Sequence, residues 1–77
     1  MDYIVNNEVK HFDINSYKAW GGAEDFIKNV EEADMLDELQ ITIENAFEEY
    51  GEPVSDSQIN AFLWWDLQDY DQWSIFY

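Results

Sequence analysis

The chain has 77 residues, 18 of them Asp or Glu and three of them Lys, with no Arg and no Cys, for a formal charge of −15. That balance excludes direct binding to nucleic-acid phosphates or to anionic membrane surfaces, and the missing Cys excludes disulfides and thiolate zinc sites. No apolar run approaches the roughly 18–20 residues of a membrane span, and Met1-Asp2-Tyr3 lacks the basic, apolar start of a secretion signal, so a cytoplasmic protein is expected.

At the N-terminus, Tyr3–Val5 and Val9–Phe12 flank Asn6-Asn7-Glu8. Asn tolerates positive φ, so the segment is expected to be a short β-hairpin, which must lie on helices to persist in water. Gly21-Gly22 breaks whatever precedes it. A helix is then expected over Ala23–Glu31, with Phe26, Ile27 and Val30 on one face and Glu24 and Asp25 in the first turn, where the helix dipole favours carboxylates. Asp34 is the expected N-cap of a second helix, Met35–Tyr50. Its stripe is Leu36, Leu39, Ile43, Ala46, Phe47 and Tyr50, and Gly51 and Pro53 end it. Ser55-x-x-Gln58 has the form of a capping box, with Val54 and Ile59 as its staple. A third helix should therefore run from Asp56 to Leu67, turning Ile59, Phe62, Leu63 and Asp66 to one side. Gln68–Tyr77 adds a further helical turn or two and ends in the apolar Trp73–Tyr77.

These elements make one small acidic domain over residues 1–77. Its expected class is α+β, mostly helical, with a short N-terminal hairpin packed on a compact bundle of three or four short helices. High net charge produces disorder only when apolar residues are scarce. Here 47% of residues are apolar, and they are patterned. Five Phe, five Tyr and four Trp, each able to bury roughly 150–250 Å², supply the core that a chain of this length otherwise struggles to build.

The acidity is polarised along the chain. Lys10, Lys18 and Lys28 all fall in its first part, with His11, and no basic residue follows Lys28. Asp34, Asp37, Glu38, Glu44, Glu48 and Glu49 lie off the apolar stripe of the second helix. Glu52 and Asp56 extend the surface forwards, and Glu31 and Glu32 extend it backwards. Helical neighbours three or four apart stand about 5–6 Å from one another, close to the phosphate spacing of a nucleic-acid strand. Like-charge pairs such as Glu44–Glu48 cost roughly 0.2–0.5 kcal/mol each, and Glu48 and Glu49 would oppose the dipole in a last helical turn. A solvated face in an acidic protein, or a salt-adapted proteome, accounts for acidity in general. Ordinary solvated faces mix signs, however, and this one does not.

Signals for catalysis and metal binding are poor. His11 has no Cys or triad motif around it, Gly21-Gly22 is too short to cradle phosphate, and no carboxylate pair sits in an apolar setting that would split its pKa values. Asp66, Asp69 and Asp71 lack the Gly and terminal Glu of a calcium loop. No enzyme activity, cofactor or metal is expected. Phe62-Leu63-Trp64-Trp65 says more, because four successive large apolar residues cannot all face one core. Phe62 and Leu63 belong with Ile59. Trp64 and Trp65 are either covered by the C-terminal tail or serve as aromatic anchors for a partner or a second copy.

Trp20-Gly21-Gly22-Ala23, an acidic helix, and then Ser55-x-x-Gln58-Ile59-Asn60-x-Phe62-Leu63-Trp64-Trp65 resemble small acidic proteins of bacteriophages and mobile elements. In those the second stretch reads as a helix-capping Thr or Ser, an acidic residue, an Asn and a Phe/Trp cluster. In size, charge and aromatic content the chain also resembles phage-encoded inhibitors of bacterial defence, the anti-CRISPR and antirestriction DNA mimics. The resemblance implies a non-enzymatic inhibitor in the bacterial cytoplasm that binds a basic nucleic-acid-binding protein such as a Cas effector. These inhibitors share surface character rather than motifs, so the expected contacts come from the helical reading: Asp34, Asp37, Glu38, Glu44, Glu48, Glu49, Glu52 and Asp56, with Trp64 and Trp65. The alternative is a small phage adaptor or structural module that binds a partner, or itself as a homodimer, through the aromatic cluster.

Overall fold

Asn6 and Asn7 both take left-handed backbone, φ 52° and 65°, which a tight two-residue hairpin turn of the I′ kind requires. In the computed structural model, which describes residues 1–50 and 53–77, they join β1 (Asp2–Val5) to β2 (Glu8–His11), with Val5 opposite Glu8 and Asp2 opposite His11. Glu8 is thus the first residue of a strand rather than the last of the turn. A third strand, β3 (Val54–Ser55), was not expected. It runs parallel to β1, pairing Val54 with Tyr3 and Ser55 with Ile4, so β1 is the central strand of a β2-β1-β3 sheet. Parallel strands need a long crossover, and both long helices lie within it.

The first of these, α1 (Gly22–Glu32), buries Ala23, Phe26 and Val30 and half-buries Ile27. It ends differently from the sequence expectation. Asp34 does not cap the next helix. It takes φ 58°, its amide donates to the Glu31 carbonyl at 3.0 Å, and the Met35 amide donates to the Val30 carbonyl at 3.1 Å. This is the Schellman arrangement, with Asp34 where Gly is usual.

The second helix, α2 (Leu36–Ala46), has Met35 at its N-cap and stops four residues short of Tyr50. The Phe47 ring packs edge-on between Tyr50 and Phe62, at centroid distances of 5.0 and 5.4 Å, and the chain turns there. Gly51, the expected end signal, lies outside the described residues.

The capping box is present. The Gln58 amide donates to Ser55 Oγ at 3.1 Å, and the Ser55 amide donates to Gln58 Oε1 at 2.9 Å. It opens α3 (Asp56–Ala61), which continues into a single π turn over Phe62–Asp66 and a 3₁₀ turn over Leu67–Asp69. Eight α-helical residues overshoot two turns by about 80°. The wider π turn absorbs that excess and keeps Ile59, Leu63 and Leu67 in line, all fully buried. Leu67 therefore takes the core position expected of Asp66, which is exposed. A last 3₁₀ turn spans Ser74–Phe76.

The core is largely aromatic. Tyr3, Phe12 and Tyr17 meet at 5.5–5.9 Å beside the hairpin. Phe26 collects the tail: Trp73 and Phe76 edge-on, each at 6.3 Å, and Tyr77 stacked at 4.4 Å. Trp73 is fully buried, so it belongs to the core rather than to an interface. Gln40 of α2 ties the hairpin side down. Its Oε1 accepts from the Ile14 amide at 2.7 Å and its Nε2 donates to the Phe12 carbonyl at 3.2 Å.

Candidate functional site

Two surface features stand out: a run of carboxylates around α2, and an aromatic groove beside it. Asp37 and Glu38 occupy the first turn of α2, exposed and favourably placed for its dipole. Asp34 is exposed in the connection from α1, continuing from Glu31 and Glu32. Glu48 and Glu49 are exposed in the turn after Ala46, beyond the helix but still beside its carbonyl end, where the dipole prefers a cation. Among the described residues none of these seven carboxylates has an ion-pair partner. Glu44 differs, being half-buried with Oε2 3.4 Å from the Met1 ammonium. Asp56 stands apart at the start of α3, partly buried, and its carbonyl accepts a hydrogen bond from the Tyr17 hydroxyl at 3.0 Å. Glu52 lies outside the described residues. Asp34, Asp37, Glu38, Glu48 and Glu49 are thus exposed before and after the body of α2, whereas Glu44 is turned to the N-terminus and Asp56 lies on α3.

The basic side chains are elsewhere. Lys10 lies on β2 and Lys18 follows the Asp13–Ser16 turn. Lys28 pairs with Glu24 across one turn of α1 at 3.5 Å. His11 stands exposed on β2, its Nδ1 3.6 Å from Asp2 Oδ1.

The two tryptophans separate. Trp64 is half-buried. Its ring lies over Gly22 so closely that a methyl group there would overlap it, and Tyr77 covers another side at 6.0 Å. Tyr77 is in turn fixed by its hydroxyl, which donates to the Leu63 carbonyl. The tail therefore covers Trp64 and leaves Trp65 uncovered, at 66% exposure.

Trp65 forms the lip of a groove of about 400 Å³ between the end of α2 and the π turn. Phe47 and Phe62 floor it, Tyr50 and Tyr70 wall it, and Asp66 stands at the rim. The rings form a row: Tyr50 against Phe47, Phe47 against Phe62, and Phe62 against Tyr70 at 6.2 Å. Tyr50 is 52% and Tyr70 43% exposed. π turns inside helices often mark functional positions, and this one aims Trp65 outward while Phe62 and Leu63 point in. Sequence reasoning found Trp65 but placed Tyr50 on the buried stripe of α2. The helix ends early, at Ala46, and Tyr50 lines the groove beyond that end.

Three tyrosines titrate above their ordinary value of 10.0. Burial raises Tyr3, Tyr17 and Tyr77, and the negative charge of Asp56 adds to the shift for the first two and that of Asp66 for the third. All three keep their protons at neutral pH. Among the described residues no helix is long and apolar enough to cross a membrane, and no three acidic or His side chains converge to hold a metal ion. No protein-family model, characterised protein or solved structure matches the chain, so the geometry of these two features carries the functional reading.

Proposed function

We propose that this protein is a non-catalytic inhibitor that occupies the DNA-binding groove of a bacterial nucleic-acid-binding defence protein, in the manner of an anti-CRISPR DNA mimic acting on a Cas effector in the cytoplasm. The observation that carries the reading is the set of exposed carboxylates Glu31, Glu32, Asp34, Asp37, Glu38, Glu48 and Glu49, none with an ion-pair partner among the described residues, while Lys10, Lys18 and Lys28 line neighbouring recesses elsewhere. A site that reads the short duplex motif beside a target offers Arg side chains to guanine edges. Carboxylates engage such Arg residues in bidentate pairs. Complementary charge speeds the encounter and makes it sensitive to salt.

Immobilised protein is expected to retain a basic nucleic-acid-binding protein from bacterial lysate at low salt and to release it when DNA is added or salt is raised. Changing Asp37→Asn, Glu38→Gln, Glu48→Gln and Glu49→Gln together should abolish retention. The exposed Trp65 favours a second reading, an adaptor or structural module that anchors a partner through its aromatic surface. Retention indifferent to DNA and salt, but lost with Trp65→Ala, would sink mimicry in favour of that module.

A further inference from the structure

Resting on the reading of a basic partner, we propose that the groove between Tyr50, Trp65 and Tyr70 is a socket for one arginine side chain of that partner. The rings of the groove carry negative faces, and a cation held within about 6 Å of a Trp or Tyr face is attracted to it. Asp66 at the rim has no ion-pair partner among the described residues and offers a bidentate acceptor to a guanidinium. The aliphatic stem of an arginine would lie along Phe47 and Phe62, the apolar floor. A volume of about 400 Å³, within the roughly 300–1,000 Å³ of small-molecule sites, is ample for one long side chain.

The alternatives fit less well. The chain's own cations do not fill the groove: Lys28 pairs with Glu24, and Lys10 and Lys18 line a separate recess with Tyr3 and Tyr17. A second copy would bring another formal charge of −15 against the first. An apolar side chain would leave the Asp66 carboxylate desolvated and unpaired. Lysine would meet the charge, but its ammonium is compact and strongly hydrated, whereas a guanidinium is planar, more weakly hydrated and stacks on rings.

The test is a titration of the intact protein with acetyl-Gly-Arg-Gly-amide in about 0.15 M NaCl, where the Debye length is about 8 Å, followed by proton–nitrogen NMR of backbone amides and indoles. Saturable shifts are expected at the Trp65 indole and at Tyr50 and Tyr70. The matching Lys and citrulline peptides should bind about tenfold more weakly. Trp65→Ala and Asp66→Asn should each weaken the Arg response, and Trp65→Phe should restore most of it. Both residues are exposed, so unchanged amide spectra elsewhere report an intact fold. Equal responses to the Arg and Lys peptides, spread along the carboxylates of α2, would overturn the socket, as would the lack of a saturable shift at Trp65. No partner protein takes part, so failure here is distinguishable from failure of the lysate capture.

Discussion

Asp34 does its structural work with its backbone. Its φ of 58° closes the Schellman turn that ends α1, and L-residues other than Gly pay for left-handed backbone there. Its carboxylate also sits where the C-terminal dipole of α1 prefers a cation. Asp34→Gly is therefore expected to raise stability by about 0.5–1 kcal/mol in urea unfolding. The sign is diagnostic, because replacing a true N-cap Asp by Gly would cost a few tenths of a kcal/mol instead. Gly22 is the opposite case, a glycine the fold cannot spare, because any Cβ there meets the Trp64 ring. Gly22→Ala should cost about 1–3 kcal/mol by overpacking. Trp64→Leu in the same chain should recover part of that loss, giving a coupling energy in a double-mutant cycle. Strict additivity would mean that the ring does not rest on Gly22.

Between elements, Tyr17 fastens the loop after the hairpin to the first turn of α3 through the Asp56 carbonyl, 3.0 Å from its hydroxyl. Burial, with the Asp56 and Tyr3 charges behind it, lifts its pKa above 10.0. The native state therefore holds a proton that the unfolded chain releases. The stability from this group is complete below pH 10.0 and is lost as pH rises beyond that. Urea midpoints should hold up to pH about 10 and fall above it. Tyr17→Phe should cost about 0.5–1.5 kcal/mol at neutral pH and flatten part of the alkaline decline, Tyr3 and Tyr77 keeping the rest. An unchanged decline would assign it to other groups. The contact also shows which links were readable in the sequence. The Asn6-Asn7 turn, the Phe26–Val30 face and the Ser55–Gln58 box obey rules that act within four residues, and each is legible. Val54–Ser55 is too short for strand alternation to register, and its partner Tyr3 is far away in sequence, so β3 was not legible. The end of α2 was hidden for a related reason: Tyr50 keeps helical spacing with the stripe, whereas the helix stops at Ala46 and Phe47 packs on Phe62, a residue remote in sequence. Half of the groove was therefore invisible, while Trp65 could be found because four large residues in succession must leave one outside.

At the scale of the molecule, a formal charge of −15 is confined within extents of 32 × 22 × 20 Å. At about 0.01 M ionic strength the Debye length is about 30 Å, so carboxylates across the whole molecule repel one another, and the unfolded chain relieves that repulsion by expanding. At about 0.15 M the length is about 8 Å, and only neighbours such as Asp37 and Glu38 still interact. Added NaCl is therefore expected to raise the melting temperature, by roughly 4–8 °C for each kcal/mol of repulsion screened in a domain of this size. The same salt should weaken a complex held by carboxylate–arginine pairs. Fold and complex thus respond to salt in opposite directions, which separates loss of binding from loss of structure: a partner released at an ionic strength where the melting temperature has risen was released by screening. Melting curves in NaCl from about 0.01 to about 0.3 M measure the first response, and partner dissociation over the same range measures the second. A melting temperature indifferent to salt would mean that the carboxylates barely strain the folded state. The acidic face would then impose no electrostatic cost on folding, and the inference that its one-signed charge is maintained for a partner would lose its energetic ground.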